Sequence, residues 1–179
     1  MNLFQQLTVL FCCLILCACS TPTLKPNAPG QIQLQGVFGI VTPQSHESGH
    51  FIWAQDSQRQ FSLELYGPLG LGATSLIEQD GVVTLETSQG KKYTASSPEL
   101  LLQNNLGWSM PVQGMTYWLL GLPVPELPFQ AQYDQGHRIV SLAQSGWMIQ
   151  YTWGKNWVYP LRIVMQREGV RVIVALTPA

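Results

Sequence analysis

The run Phe61-Ser-Leu-Glu-Leu-Tyr-Gly-Pro-Leu-Gly-Leu-Gly-Ala-Thr-Ser-Leu-Ile77 decides the fold. Phe61, Leu63 and Leu65 alternate with Ser62 and Glu64, the period-two pattern of a strand with one face buried. A glycine-rich tip, Gly67-Pro-Leu-Gly-Leu-Gly72, then turns the chain. Leu69 and Leu71 are out of place there, because turn tips face water and carry polar residues. Two readings account for them. Either the loop folds back and its leucines cover the core, or a leucine projects to touch something apolar, an acyl chain or a membrane.

Outward from this turn the alternation repeats. Ile32–Val41 reads as a strand whose two glycines, Gly36 and Gly39, allow a bend or bulge. Pro43–Gly49 reads as a polar turn, and His50–Gln55 as a strand with Phe51 and Trp53 on one face. Gln79-Asp80-Gly81 is a hairpin signal before Val82–Thr87 and Lys91–Ala95. The period then changes. Ser96-Ser97-Pro98-Glu99 supplies caps, a first-turn proline and an early acid, which predict a helix to Asn105. Pro111–Gly121 predicts a second helix with Met115, Trp118 and Leu119 on one stripe and Gly121 as its stop. Pro123, Pro125 and Pro128 make the next segment a rigid loop. Strands resume at Ala131–Tyr133, Arg138–Ala143, Trp147–Thr152, Leu161–Gln166 and Val170–Leu176. The pattern predicts a mainly β chain: an unclosed antiparallel β-barrel of about eleven strands, with a short α-helical lid over its opening.

Composition narrows the function. A length of 179 residues fits one domain plus a targeting segment. A net charge of −1, with 11% charged residues, argues against a nucleic-acid partner and against a polybasic membrane patch. With 46% hydrophobic residues and so little charge, the chain must bury a large core or line a cavity. All four cysteines (Cys12, Cys13, Cys17, Cys19) fall in the first twenty residues, leaving no disulfide, thiol nucleophile or cysteine metal site downstream. His46 and His50 sit four apart in a loop and strand start, not on a helix face. There is no Gly-x-Ser-x-Gly elbow, phosphate loop or dinucleotide fingerprint. The sequence therefore predicts no enzyme, no metal and no cofactor.

Leu7–Cys19 has the length of a signal-peptide core, although Met1–Gln6 holds no Lys or Arg. The alternatives are an uncleaved membrane anchor or a buried N-terminal helix. Leu16-Cys17-Ala18-Cys19 resembles a bacterial lipobox. That resemblance implies a signal peptide over 1–18, acyl chains on Cys19, and a Pro-rich tether over 19–30 before a domain at 31–179. Ser20, where the sorting rule of enteric-type bacteria places aspartate for inner-membrane retention, implies the outer membrane.

With the lipobox, further pieces resemble the LolB family of outer-membrane lipoprotein receptors. They are Leu65-Tyr66-Gly67-Pro68-Leu69-Gly70, Val83-Thr84-Leu85-Glu86-Thr87, Pro98-Glu99-Leu100-Leu101, Leu106-Gly107-Trp108 and Met110-Pro111-Val112. Tyr117-Trp118-Leu119, Gly121-Leu122-Pro123, Gly146-Trp147 and Gly169-Val170-Arg171-Val172 follow in the same order. The resemblance implies an eleven-stranded unclosed barrel with a lid and a cavity for acyl chains. It implies a monomer that accepts lipoproteins from the periplasmic carrier LolA and releases them into outer-membrane phospholipid. It also implies a protruding-loop leucine needed for release, a place that Leu69 or Leu71 fills, with Leu71, between two glycines, favoured. Candidate cavity residues are the inward positions Phe51, Trp53, Phe61, Leu63, Leu65, Leu85, Trp147, Ile149 and Tyr151, with lid residues Leu101, Met115, Trp118 and Leu119. For each residue alone, plain core packing is the competing reading. The alternative function is a lipocalin-like or envelope-assembly lipoprotein that holds a free hydrophobic ligand, which needs neither a leucine tip nor a carrier.

Overall fold

The computed structural model describes residues 32–57, 60–67 and 72–177. Eleven strands form one antiparallel sheet: β1 (Ile32–Val41), β2 (His46–Ser57), β3 (Gln60–Tyr66), β4 (Thr74–Gln79), β5 (Val82–Glu86), β6 (Lys92–Ala95), β7 (Phe129–Tyr133), β8 (Ile139–Gln144), β9 (Trp147–Trp153), β10 (Pro160–Arg167) and β11 (Val170–Leu176). Helices α1 (Pro98–Leu106) and α2 (Val112–Trp118) lie between β6 and β7 in the chain. The spatial order is β6-β5-β4-β3-β2-β1-β11-β10-β9-β8-β7. The sheet is a meander in which β1 pairs with β11, and its two edges, β6 and β7, are the strands that the helical segment joins.

Local chemistry sets these elements. Asp80-Gly81, Ser145-Gly146 and Glu168-Gly169 take positive φ at both positions, the two-residue hairpin conformation whose twist matches that of the flanking strands. Gly36 permits close approach of β1 and β11, since a Cβ there would lie 2.0 Å from the carbonyl oxygen of Ala175. Ser97 caps α1 by accepting from the Leu100 amide, Pro98 occupies its first turn, and Gly107 ends it at φ 78°. Inward side chains alternate along each strand, and those of β1–β5 and β8–β11 join both helices in one hydrophobic cluster, so the sheet curls around its own inner face.

The boundaries differ from the sequence reading in two informative places. Strand β2 begins at His46, not His50, because the polar residues His46, Glu47 and Ser48 pair with Val41, Ile40 and Gly39 without any apolar alternation to announce them. Strand β7 begins at Phe129 and is exposed along most of its length, as an edge strand can be.

The meander fixes which turns share an end of the sheet. The β1–β2, β3–β4, β5–β6, β8–β9 and β10–β11 connections lie at one end. The β2–β3, β4–β5, β7–β8 and β9–β10 connections lie at the other, with the start of β1.

Candidate functional site

The helical segment crosses the inner face of the sheet, and uncharged side-chain amides fasten it there. Gln144 of β8 has the same inward parity as Leu142 and is 3% exposed. Its Oε1 accepts from the Trp118 indole N–H at 2.9 Å and from the Val124 amide at 2.8 Å. Its Nε2 donates to the carbonyls of Val124 at 2.8 Å and Leu127 at 3.2 Å. One side chain thus holds the end of α2 and the proline loop together on β8. From the other side, Gln55 of β2 donates to the Thr116 carbonyl at 3.2 Å and accepts from the Trp53 indole at 3.0 Å. The Trp53 ring in turn stacks on Phe61, with centroids 4.8 Å apart. The two helices are tied by Glu99, whose Oε1 accepts from the Gln113 amide at 3.1 Å and whose carbonyl accepts from the Ser109 hydroxyl at 3.2 Å.

A cleft of about 610 Å³ opens beside this lid, at the end of the sheet that carries the β8–β9 and β10–β11 turns. Trp118 and Trp147 form its aromatic wall, with ring centroids 6.4 Å apart. Met110, Val124, Leu127 and Val170 add apolar surface, and the charges are Glu99, Arg167 and Glu168. Elsewhere Arg138 is held by Asp134 at 2.7 Å and lies over the Trp153 ring at 5.3 Å, while Lys92 pairs with Glu86 at 3.2 Å. The Arg138 backbone N–H and guanidinium keep the Asp134 carboxyl below the ordinary carboxylate range. The hydrogen bond to Glu64, with burial and the Glu64 charge, raises the Tyr66 phenol. Burial raises that of Tyr151. Among the described residues no cluster of His, Cys, Asp and Glu could hold a metal ion, and no helix is long and apolar enough to cross a membrane.

Phe51, Trp53, Phe61, Leu63, Leu65, Leu85, Leu101, Met115, Trp118, Leu119, Ile149 and Tyr151 are all buried in the one core, and Trp147 packs half-buried against it. Of these thirteen, Trp118 and Trp147 also line the cleft. Cys19, Leu69 and Leu71 lie outside the described residues. Sequence reasoning missed Gln55, Gln144 and the bridging role of Glu99. For the glutamines a signal existed: each is a polar residue at an inward position of an apolar alternation, Phe51-x-Trp53-x-Gln55 and Leu142-x-Gln144.

A family model described as Outer membrane lipoprotein LolB matches residues 30–177. An outer-membrane lipoprotein LolB of Pseudomonas syringae is 40% identical over 119 residues, covering 66% of this chain and 58% of that protein. One of Pseudomonas aeruginosa is 40% identical over 120 residues, covering 67% and 58%. The matched stretch thus spans under two thirds of these relatives' length. Among solved structures, the LolA superfamily protein NE2245 from Nitrosomonas europaea superposes with a TM-score of 0.54 at 10% identity, covering 85% of this chain and 86% of that one, a likeness of fold.

Proposed function

The chain belongs to the outer-membrane lipoprotein LolB family, and we propose that it is a receptor that takes lipoproteins by their acyl chains from the periplasmic carrier LolA and delivers them into the outer membrane. On this reading residues 1–18 direct export, Cys19 carries the lipid anchor, 19–30 form a tether, and 31–179 bind cargo as a monomer without catalysis.

The observation that carries the reading is the lid. A largely apolar inner face is covered by a segment that, among the described residues, neutral hydrogen bonds fasten to the sheet at Gln55 and Gln144, beside a cleft with an indole wall. An acyl chain gains about 0.8 kcal/mol per CH₂ buried, so such a surface binds it by area alone. Handover then needs only a modest difference between stations, since about 1.4 kcal/mol is a tenfold bias.

The tip also fits. The β3–β4 connection, which holds Leu69 and Leu71, leaves the sheet at the same end as the cleft. The tether joins at the opposite end, where β1 starts. Residues 19–30 of Pro-rich chain reach about 37 Å at roughly 3.1 Å each, comparable with the roughly 34 Å length of β1. A tether of that reach lets the cleft end face the bilayer.

The test is Leu71→Glu, with Leu69→Glu in parallel, supplied in cells depleted of the native protein while a labelled lipoprotein is fractionated. Cargo that leaves the carrier but stalls on the variant supports a receptor with a membrane-release tip. Cargo that reaches the outer membrane normally with both variants removes the tip's role and favours a storage lipoprotein.

A further inference from the structure

Among the described residues two buried side-chain oxygens lack a hydrogen-bond partner, the Thr87 hydroxyl after β5 and the Tyr151 hydroxyl in the β9 wall. The indoles of Trp53, Trp118 and Trp153 each donate to a carbonyl oxygen, that of Gln55, Gln144 and the Ile139 backbone respectively. The Thr116 hydroxyl donates to the Gln113 carbonyl at 2.7 Å. The Tyr151 hydroxyl is fully buried and has no hydrogen-bond partner. The residue is 6% exposed, points inward from β9 with Ile149, and lies opposite Ile163 of β10. Its ring centroid is 6.3 Å from that of Trp153. An orphaned buried hydroxyl is destabilising, a cost that a phenylalanine at this position avoids.

The chemistry of what the hydroxyl awaits is restricted. Burial disfavours the phenolate, so the group is a neutral O–H donor throughout the physiological range. Its neighbours Ile149, Ile163 and Trp153 are uncharged, and the Arg138 guanidinium over the Trp153 ring is already paired with Asp134, so a charged headgroup brought there would lose its hydration without a free counter-charge. A bare hydrocarbon would leave the donor still unpaired. An uncharged carbonyl at the head of an apolar chain fits both conditions. Trp147, which lines the cleft, is on the same strand and face, four residues or about 13 Å away, with the fully buried Ile149 between them.

We propose that the Tyr151 hydroxyl is a binding group for the carbonyl of an ester- or amide-linked acyl chain, donating to it when the lid lifts. The inference rests on the acyl-receptor reading and deepens it. The interior then selects acylated glycerol or acylated amine over plain alkyl chains, and the carbonyl fixes how deep a chain sits.

The experiment uses the purified full chain and its Tyr151→Phe variant. Displacement of a fluorescent fatty-acyl probe is measured with 1,2-dipalmitoylglycerol, with its ether-linked dihexadecyl analogue, and with N-propyl palmitamide, which has no ester, as the amide arm. Urea unfolding is measured on the unliganded proteins. The expected result is that wild type binds the ester or the amide lipid about tenfold better than the ether, the magnitude of one hydrogen bond that also relieves an orphan. Tyr151→Phe loses that preference, keeps its ether affinity, and unfolds no more readily than wild type. The arm that loses affinity identifies which carbonyl is bound. Equal affinities for carbonyl and ether lipids in both proteins overturn the inference while leaving acyl binding intact. A tenfold rise in the unfolding constant of the unliganded variant also overturns it, because the hydroxyl would then have a partner in the empty protein. If wild type binds none of the three lipids, the acyl-receptor reading itself fails.

Discussion

Replacing Gln144 with alanine removes four hydrogen bonds from one point of the lid, and the structure sets the scale of the loss. The Trp118 indole N–H belongs to a residue 2% exposed, so it is left buried without an acceptor, at about 1–3 kcal/mol. Val124 is half-buried and Leu127 is exposed, so water reaches their amide and carbonyls, and each of those losses is at the lower end of about 0.5–1.5 kcal/mol. The sum is about 3 kcal/mol. For a domain of this length that corresponds to a fall in Tm of roughly 6–12 °C. The assay is thermal unfolding by circular dichroism, with binding of an environment-sensitive apolar dye at 25 °C to report lid opening. Gln144→Glu is the control for mechanism. It keeps an acceptor for Trp118 but turns a carboxylate toward the carbonyls of Val124 and Leu127, so its charged form is disfavoured in the fold and its folded pKa is raised. For that variant stability is lowest at neutral pH and returns as pH falls through the raised pKa. A Tm within about 2 °C of wild type for Gln144→Ala, with no gain in dye binding, would falsify the latch.

Two further predictions concern the sheet and its turns. Gly36→Ala drives a Cβ to 2.0 Å from the Ala175 carbonyl oxygen and must part β1 from β11, whereas Gly39→Ala meets nothing nearer than 4.0 Å; urea unfolding should show a loss of about 2–3 kcal/mol for the first and well under 1 for the second. Asp134 accepts from the Gly136 and Arg138 amides and from the Arg138 guanidinium, so its folded pKa lies below the unfolded value. Its contribution is therefore present above the ordinary carboxylate pKa and lost as pH falls through the lowered folded one. Asp134→Ala should lower stability at pH 7 and converge on wild type in acid, as followed by unfolding curves across pH.

Much of this architecture is written locally. The Asp80-Gly81, Ser145-Gly146 and Glu168-Gly169 hairpins and the alternation between them announce β4–β5 and β8–β11, because positive φ and inward parity are properties of single residues and their immediate neighbours. The start of α1 is equally legible from Ser97 and Pro98. What could not be read is non-local. The pairing of β1 with β11 joins residues 130 to 140 positions apart and has no sequence signature beyond Gly36. The bond from Gln144 to Trp118 spans 26 positions and that from Gln55 to Thr116 spans 61, so neither glutamine's partner is visible from its neighbours. The candidate cavity residues were found by parity, which identifies the inner face but does not separate a packed wall from a lining one. Only Trp118 and Trp147 are placed by the lid geometry at the open cleft.

The lid bonds and the acyl energy can be set against each other. Lifting the lid breaks the four bonds of Gln144 and the Gln55–Thr116 bond, and water then satisfies the freed groups. At a net value of about 1 kcal/mol each, opening costs roughly 5 kcal/mol in hydrogen bonds. On the acyl-receptor reading, the apolar surface that opening exposes is covered again by the entering chain. At about 0.8 kcal/mol per CH₂, six or so methylenes offset the latch, and the remainder of a sixteen-carbon chain supplies the net affinity. On the acyl-receptor reading, short chains cannot hold the lid open and long ones can. A latch of salt bridges would be a poor substitute, because opening it inside an apolar mouth would leave charges beside the incoming chain. On that reading, neutral glutamines close the empty protein firmly enough to hide its interior, yet weakly enough for an entering acyl chain to open it.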